Sequence, residues 1–262
     1  MRAIEVRRII DPLPIYTMWL REMKRFLRVK ARVVGSILMP LLFLVFLGLP
    51  MSRAGQIPGL GSIGYFDFLA PGIVGMTLVF AGTMSGASVI WDKEFGFLKE
   101  VLVAPVNRFS VILGRSLGGM TTAMIQALVI VGIAVAMGVK LSSVSGFFLG
   151  IVIMILTCAA FTGFGLIIAT KLGNLEGFMA IMNLIVFPIF FLSGAFFPLQ
   201  SMPSWLRYIM YIDPLTYGVD GLRGTLIGVS AFPLWLDFTV LLILCIALAT
   251  LGSYFFSKME AD

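Results

Sequence analysis

The sequence predicts an all-α polytopic membrane protein with six transmembrane helices, and three observations carry that reading. Of 262 residues, 60% are hydrophobic and only 12% charged, whereas soluble domains carry about 25% charged residues because a wetted surface needs polar cover. Mean hydropathy is +1.05. Several uncharged stretches are longer than the ~20 residues that cross a bilayer core of roughly 30 Å.

Charged residues bound the apolar runs at 33–52, 68–91, 116–139, 141–170, 177–206 and 238–257. Each run suffices for one crossing, and two of them hold 30 residues, too many for one upright helix and too few for two. Trimming gives spans at about 33–50, 68–91, 116–138, 146–169, 178–197 and 238–257. Residues 1–32 then form an N-terminal segment, 33–257 the transmembrane domain and 258–262 a short tail. The apolar run 224–236 is short and holds Pro233, so it reads as a re-entrant or interfacial piece.

Lysine and arginine orient the chain. Nine precede the first span, and with six crossings both termini share a side that collects fifteen of the nineteen basic residues. The positive-inside rule makes that side cytoplasmic. Residues 1–32 have no apolar core of the kind a cleavable signal peptide needs, so insertion is expected to begin with the first span.

Residues 15–32 wind into an amphipathic helix after Asp11-Pro12-Leu13-Pro14. At 100° per residue Ile15, Met18, Trp19, Met23, Phe26 and Val29 share one side, and Arg21, Lys24, Arg25, Arg28 and Arg32 the other. Such a helix lies in the membrane interface. Attraction to anionic lipid explains it, as does a lever that touches a cytoplasmic partner.

Between spans two and three, residues 92–108 read DKEFGFLKEVLVAPVNR, with three acidic and three basic residues. Phe95, Leu98, Val101 and Leu102 recur at helical spacing until Pro105 ends the pattern. A short amphipathic helix held between two spans suits docking into a groove on a soluble partner. Between spans five and six, Pro198, Pro203, Pro214 and Pro233 frame two apolar-aromatic pieces, 204–212 and 214–228. These predict two short helices dipping into the outer leaflet. Asp213, Asp220, Arg207 and Arg223 are expected to pair at their charged ends, Asp220 and Arg223 being three apart on one helical face. Trp205, Tyr208, Tyr211 and Tyr217 alternatively form an ordinary interfacial belt.

Function classes narrow by what the chain lacks. Histidine is absent, and Cys158 and Cys245 both lie in apolar runs, which leaves no imidazole relay and no cysteine framework. The span centres carry no ionisable group, and Arg115 is close enough to an end to snorkel, which argues against ion-coupled carriage. The sequence contains no phosphate-binding loop of the G-x-x-x-x-G-K-[ST] type. Small residues four apart, such as Gly82/Gly86, Gly114/Gly118 and Gly146/Gly150, favour close helix packing within the chain. Pro40 and Pro188 should loosen spans one and five. The phenylalanines around Pro188, among them Phe187, Phe190 and Phe191, read either as packing or as the greasy wall of a substrate path.

The stretch FLAPGIVGMT…SVIWDKEFGFLKEVLVAPVNR (68–108) and the later IDPLTYGVDGLRG (212–224) resemble the ABC-2-type permease family, in its subgroup of daunorubicin-resistance-like and nodulation-factor exporters. The resemblance covers nearly the whole chain. It implies a type V exporter-like fold and a half-transporter: two permease chains, a homodimer being expected and a paralogous partner the alternative, each docked to a separate ATP-binding subunit that holds ATP and Mg²⁺. No cofactor is then expected in this chain. Glu94, Phe95, Gly96, Leu98 and Glu100 would inherit the docking role of the family's coupling helix. The paired outer helices, with Asp213, Pro214, Tyr217, Asp220 and Arg223, would close the exit side, and spans one and five would line the dimer interface. The cargo would be hydrophobic or amphiphilic, in a plasma or inner membrane. An ATP-independent carrier or channel is the alternative, and an intramembrane enzyme a remoter one.

Overall fold

A computed structural model describes residues 11–53, 63–96, 106–172 and 174–257. Helix is the regular structure throughout these residues, as a bilayer demands of a chain that must satisfy its own backbone. Helix α1 (Pro12–Arg28) opens on Asp11, whose carboxylate accepts from the Leu13 N–H at 3.1 Å. Val29 leaves helical geometry, and the first span follows as α2 (Lys30–Phe43), a π-turn (Leu44–Gly48) and α3 (Leu49–Arg53). The second span joins α4 (Tyr65–Ser85) to α5 (Ala87–Glu94) through Gly86. The third is α6 (Arg108–Ala136), capped by Asn107, and the fourth α7 (Val144–Leu172). The fifth combines α8 (Leu175–Ile181), a π-turn (Met182–Val186) and α9 (Phe187–Leu192). Two short helices, α10 (Ser204–Ile212) and α11 (Pro214–Leu226), lead to the last span, α12 (Leu234–Ser257).

Six of these stretches are long and apolar enough to cross a membrane, so the all-α polytopic expectation holds. Their limits shift. The third span starts at Arg108 and so draws Arg115 into its third turn. The fourth, 29 residues long, rises about 43 Å at 1.5 Å per residue and needs tilt to fit. The fifth ends at Leu192, where Ser193 and then Gly194 at φ +74° turn the chain; only glycine adopts that backbone freely. The run 224–236 is not a separate piece. Gly224–Leu226 finish α11, Gly228 turns at φ +78°, and Leu234 begins α12.

The second and fourth spans form the centre of the bundle, with 78% and 61% of their apolar windows buried, against 17%, 22% and 11% for the first, fifth and sixth. Small residues permit it. A Cβ at Gly86 would strike the Gly165 carbonyl, one at Gly82 would lie 3.2 Å from the Cys158 carbonyl oxygen, and one at Gly146 would strike the Thr225 carbonyl. The four-residue glycine spacing thus packs helices of one chain together. The π-turns sit beside the two prolines: one follows Pro40, and the other precedes Pro188, whose ring cannot accommodate the ordinary hydrogen bond.

Candidate functional site

The second span runs between two ends of the bundle, and each end carries a buried arginine. At one end, α1 packs lengthwise on α6 in the same direction. The Asp11 N–H donates to Ser110 Oγ at 2.9 Å, Gly114 meets the Ile15 backbone and Met18, and Trp19 Nε1 donates to Thr121 Oγ1 at 3.0 Å. Two arginines of the predicted basic face therefore turn inward. Arg21 donates through both guanidinium NH₂ groups to the Asp92 carboxylate at 2.6 and 2.7 Å, and Arg115 donates to the same carboxylate at 2.5 Å. Arg25 approaches it at 4.0 Å and stacks 4.7 Å above the Trp91 ring. Asp92 thus joins three elements: α1, the end of the second span and the start of the third.

Arg115 does not snorkel. It is 4% exposed and paired, because α1 covers the route by which a long side chain would reach water. The fork-to-carboxylate geometry of Arg21 is the strong form of such a pair, and it holds Arg21 above the ordinary arginine range against the opposing cost of burial.

The residues expected to dock a partner begin two positions beyond Asp92. Glu94 closes α5; Phe95 is 81% exposed; Gly96 turns at φ +75° with open space where a Cβ would be. Leu98 and Glu100 lie outside the described residues.

Next to the cluster, a cavity of about 410 Å³ opens between spans one, two, three and five, with Glu22, Arg25 and Phe26 at its α1 end and Gln126 deeper in. Met39, Met76, Met84 and Phe80 are among the residues that line it. Several of its hydroxyls are turned away from it: Thr77 donates to the Ile73 carbonyl, Ser85 to Gly82 and Thr122 to Gly119. The surface left to a guest is mainly apolar and methionine-rich, hence adaptable. Of the three phenylalanines proposed for a path, Phe187 lines this cavity. Phe190 is wholly buried against Phe80, Phe191 and Phe196, and Phe191 stacks on Phe187 and Phe196.

At the opposite end α10 and α11 form the expected pair of short helices, but their charges do not pair with one another. Asp220 accepts from the Ala231 and Phe232 N–H groups at 2.8–2.9 Å. Arg223, three residues on, donates instead to the carbonyls of Phe68 (3.2 Å), Gly194 (2.6 Å) and Ala195 (2.9 Å) and lies 3.6 Å over the Phe68 ring. Arg207 donates to the carbonyls of Gln200 and Met202. Asp213 caps α11 through Leu215 N–H at 2.9 Å, ahead of Pro214 in the first turn. Backbone groups outcompeted the side-chain pairs because chain turns bring unsatisfied amides and carbonyls within reach. Burial raises Asp213 to about 7 and also raises Asp220. Tyr217 donates to the Tyr211 carbonyl at 2.7 Å and stacks on Phe232, while Trp205 and Tyr208 face outward. Arg223 thus ties α11 to the entry of the second span and to the turn after the fifth.

Sequence reasoning passed over Asp92, Arg21 and Arg115 as a unit. A lone arginine near a span end, opposite a lone aspartate at the end of the span before it, was the available signal.

A sequence profile described as ABC-2 type transporter matches residues 14–227. The protein ycf38 of Cyanophora paradoxa, in name a transport permease, is 33% identical over 204 residues, 76% of this chain and 70% of its own length. The inner membrane transport permease YadH of Escherichia coli K12 is 26% identical over 234 residues, 88% and 90% of the two chains. DrrC of Mycobacterium tuberculosis, named as a probable doxorubicin resistance ABC transporter permease protein, is 26% identical over 217 residues, 79% and 75%.

Proposed function

This chain belongs to the ABC-2 type transporter family, and from that premise we propose that it is the membrane permease of an ATP-driven exporter. Two copies pair as a homodimer in the plasma or inner membrane with both termini cytoplasmic. Each copy docks a separate subunit that binds ATP and Mg²⁺. The cargo is hydrophobic or amphiphilic (a drug, a lipid or a lipid-linked glycan) and moves outward.

The observation that carries this reading is the Asp92 junction. A partner gripping Glu94, Phe95 and Gly96 pulls on the end of the second span, and Asp92 passes that displacement to α1 and α6 at once. Because α1 leads through Val29 into the first span, the pull reaches two walls of the 410 Å³ cavity. The cavity opens beside the junction, while the pair α10–α11, tied by Arg223, stands at the other end. Loading from the cytoplasmic side, followed by release of that pair, is the cycle this asymmetry supports. An apolar, methionine-lined wall suits an amphiphile better than an ion.

Co-purification tests the docking. Wild-type chain in mild detergent should retain an ATP-binding subunit, and Phe95→Ala with Glu94→Lys should lose it while keeping the same melting profile. A variant that still holds the subunit and still couples ATP hydrolysis to transport removes the docking role. Transport by the chain alone without ATP would overturn the exporter reading in favour of a carrier.

A further inference from the structure

The hydroxyls that line the cavity beside the Asp92 junction are, among the described residues, already committed. Ser36 donates to the Val33 carbonyl and Ser88 to that of Ser85, just as Thr77, Ser85 and Thr122 donate to carbonyls of their own helices. Gln126 on α6 differs from all of them. Its side chain lines the same space and is 6% exposed, yet its carboxamide makes no hydrogen bond with any described residue. An amide left without a partner in an apolar wall, away from water, is costly, and a leucine there would carry no such penalty. The Glu22 side chain packs on Gly118 at the α1 end of the cavity. Gln126 stands about 12 Å further along α6 from Gly118, at 1.5 Å per residue.

We infer that Gln126 sets the specificity of this cavity, whose guest is an amphiphile carrying a neutral hydrogen-bonding group, a hydroxyl or a carbonyl, within its apolar body. That group lies about 12 Å from the polar head, which stays at the α1 end. A carboxamide offers two donors and an acceptor, so it pairs with a hydroxyl in either sense and donates to a carbonyl. Being uncharged, it does not select an ion. The methionines around it adapt to many shapes, so shape discriminates little and one placed polar group fixes how a guest lies. A plain hydrocarbon chain leaves the amide unpaired and is disfavoured for that reason. The inference rests on the cavity being the place where cargo loads, and it adds what that cargo carries.

Two monoacylglycerols test it, 1-(10-hydroxystearoyl)glycerol and 1-stearoylglycerol, whose chains differ only in a hydroxyl set roughly that far from the glycerol head. The purified chain in nonionic detergent is offered both in equal amounts, and the retained probe is read by native mass spectrometry. Wild type should hold the hydroxylated probe with a roughly three- to tenfold preference, the worth of one hydrogen bond in an apolar medium. Gln126→Leu should hold the two equally. Thr122→Val, one turn earlier with a hydroxyl already committed, should keep the preference. Ala81→Phe, which fills the cavity, should hold neither probe. A wild type that holds neither, or both equally, overturns the proposal, and so does a preference that survives Gln126→Leu. Retention by Ala81→Phe at the wild-type level overturns it as well, because the guest then lies elsewhere. The measurement needs neither ATP nor a second subunit, so the exporter reading can fail while the Gln126 preference stands, and the reverse.

Discussion

At the scale of single residues, the buried arginines Arg115 and Arg223 act as joints between helices. Asp92 accepts from two arginines, one of them almost wholly buried. Removing one member of such a set leaves a charge in a poor solvent, which costs about 3–5 kcal/mol, while replacing the set with apolar groups is often neutral. Asp92→Asn should therefore lower the thermal unfolding midpoint markedly. The double change Asp92→Leu with Arg115→Met should recover most of it without restoring transport. Recovery of both would make the junction a packing device. Why this joint was hard to see is itself physical. Arg115 sits where an apolar run begins, so a count of hydropathy takes it as a border; only the docking of α1 turns the border into an interior. The i,i+3 spacing of Asp220 and Arg223 misled in the opposite sense, since spacing reports what two side chains can reach but not which backbone groups reach them first.

Helices and their connections show the same division. All six spans were legible, because a run of about 20 apolar residues has few other fates, and the paired short helices before the last span followed from their prolines. The helix limits were not, since caps such as Asn107 and the left-handed Gly194 depend on single residues. Amphipathicity marks α1 as two-faced but does not reveal that its neighbour is protein. The stripe of Gly114 and Gly118 receives Ile15, Met18 and Glu22 at backbone contact. A bulky side chain there should push α1 away, at the 1–3 kcal/mol typical of overpacking. Gly114→Leu should show faster amide exchange across Pro12–Arg28 with the rest of the bundle still protected. If α1 exchanges no faster, lipid and not α6 holds it.

Across the whole molecule, buried and exposed spans are unevenly distributed. The second and fourth are enclosed, while the first and fifth present Val34, Phe46 and Leu184 outward. These two spans flank the cavity from either side, and the first touches the turn after the fifth at Phe43 and Phe196. In a homodimer paired through them, a single cysteine at one of these outward positions meets its own copy across the two-fold axis. Leu184→Cys or Phe46→Cys, with Cys158→Ala and Cys245→Ser, should give an oxidised dimer in native membranes. Absence of that band at each position moves the interface to another face.

The Arg223 clamp carries a consequence for how the chain is made. Its three acceptors come from Phe68, Gly194 and Ala195, residues synthesised well before it. Until the guanidinium arrives, the turn after the fifth span has no donor there. Until the second and fifth spans are in place, the arginine has no seat away from water. Assembly therefore has an order, with α10–α11 and the last span closing a nearly finished bundle. A chain stopped before Ser204 carries every earlier span but lacks the keystone that locks them, and it is the form that membrane quality control would recognise and degrade.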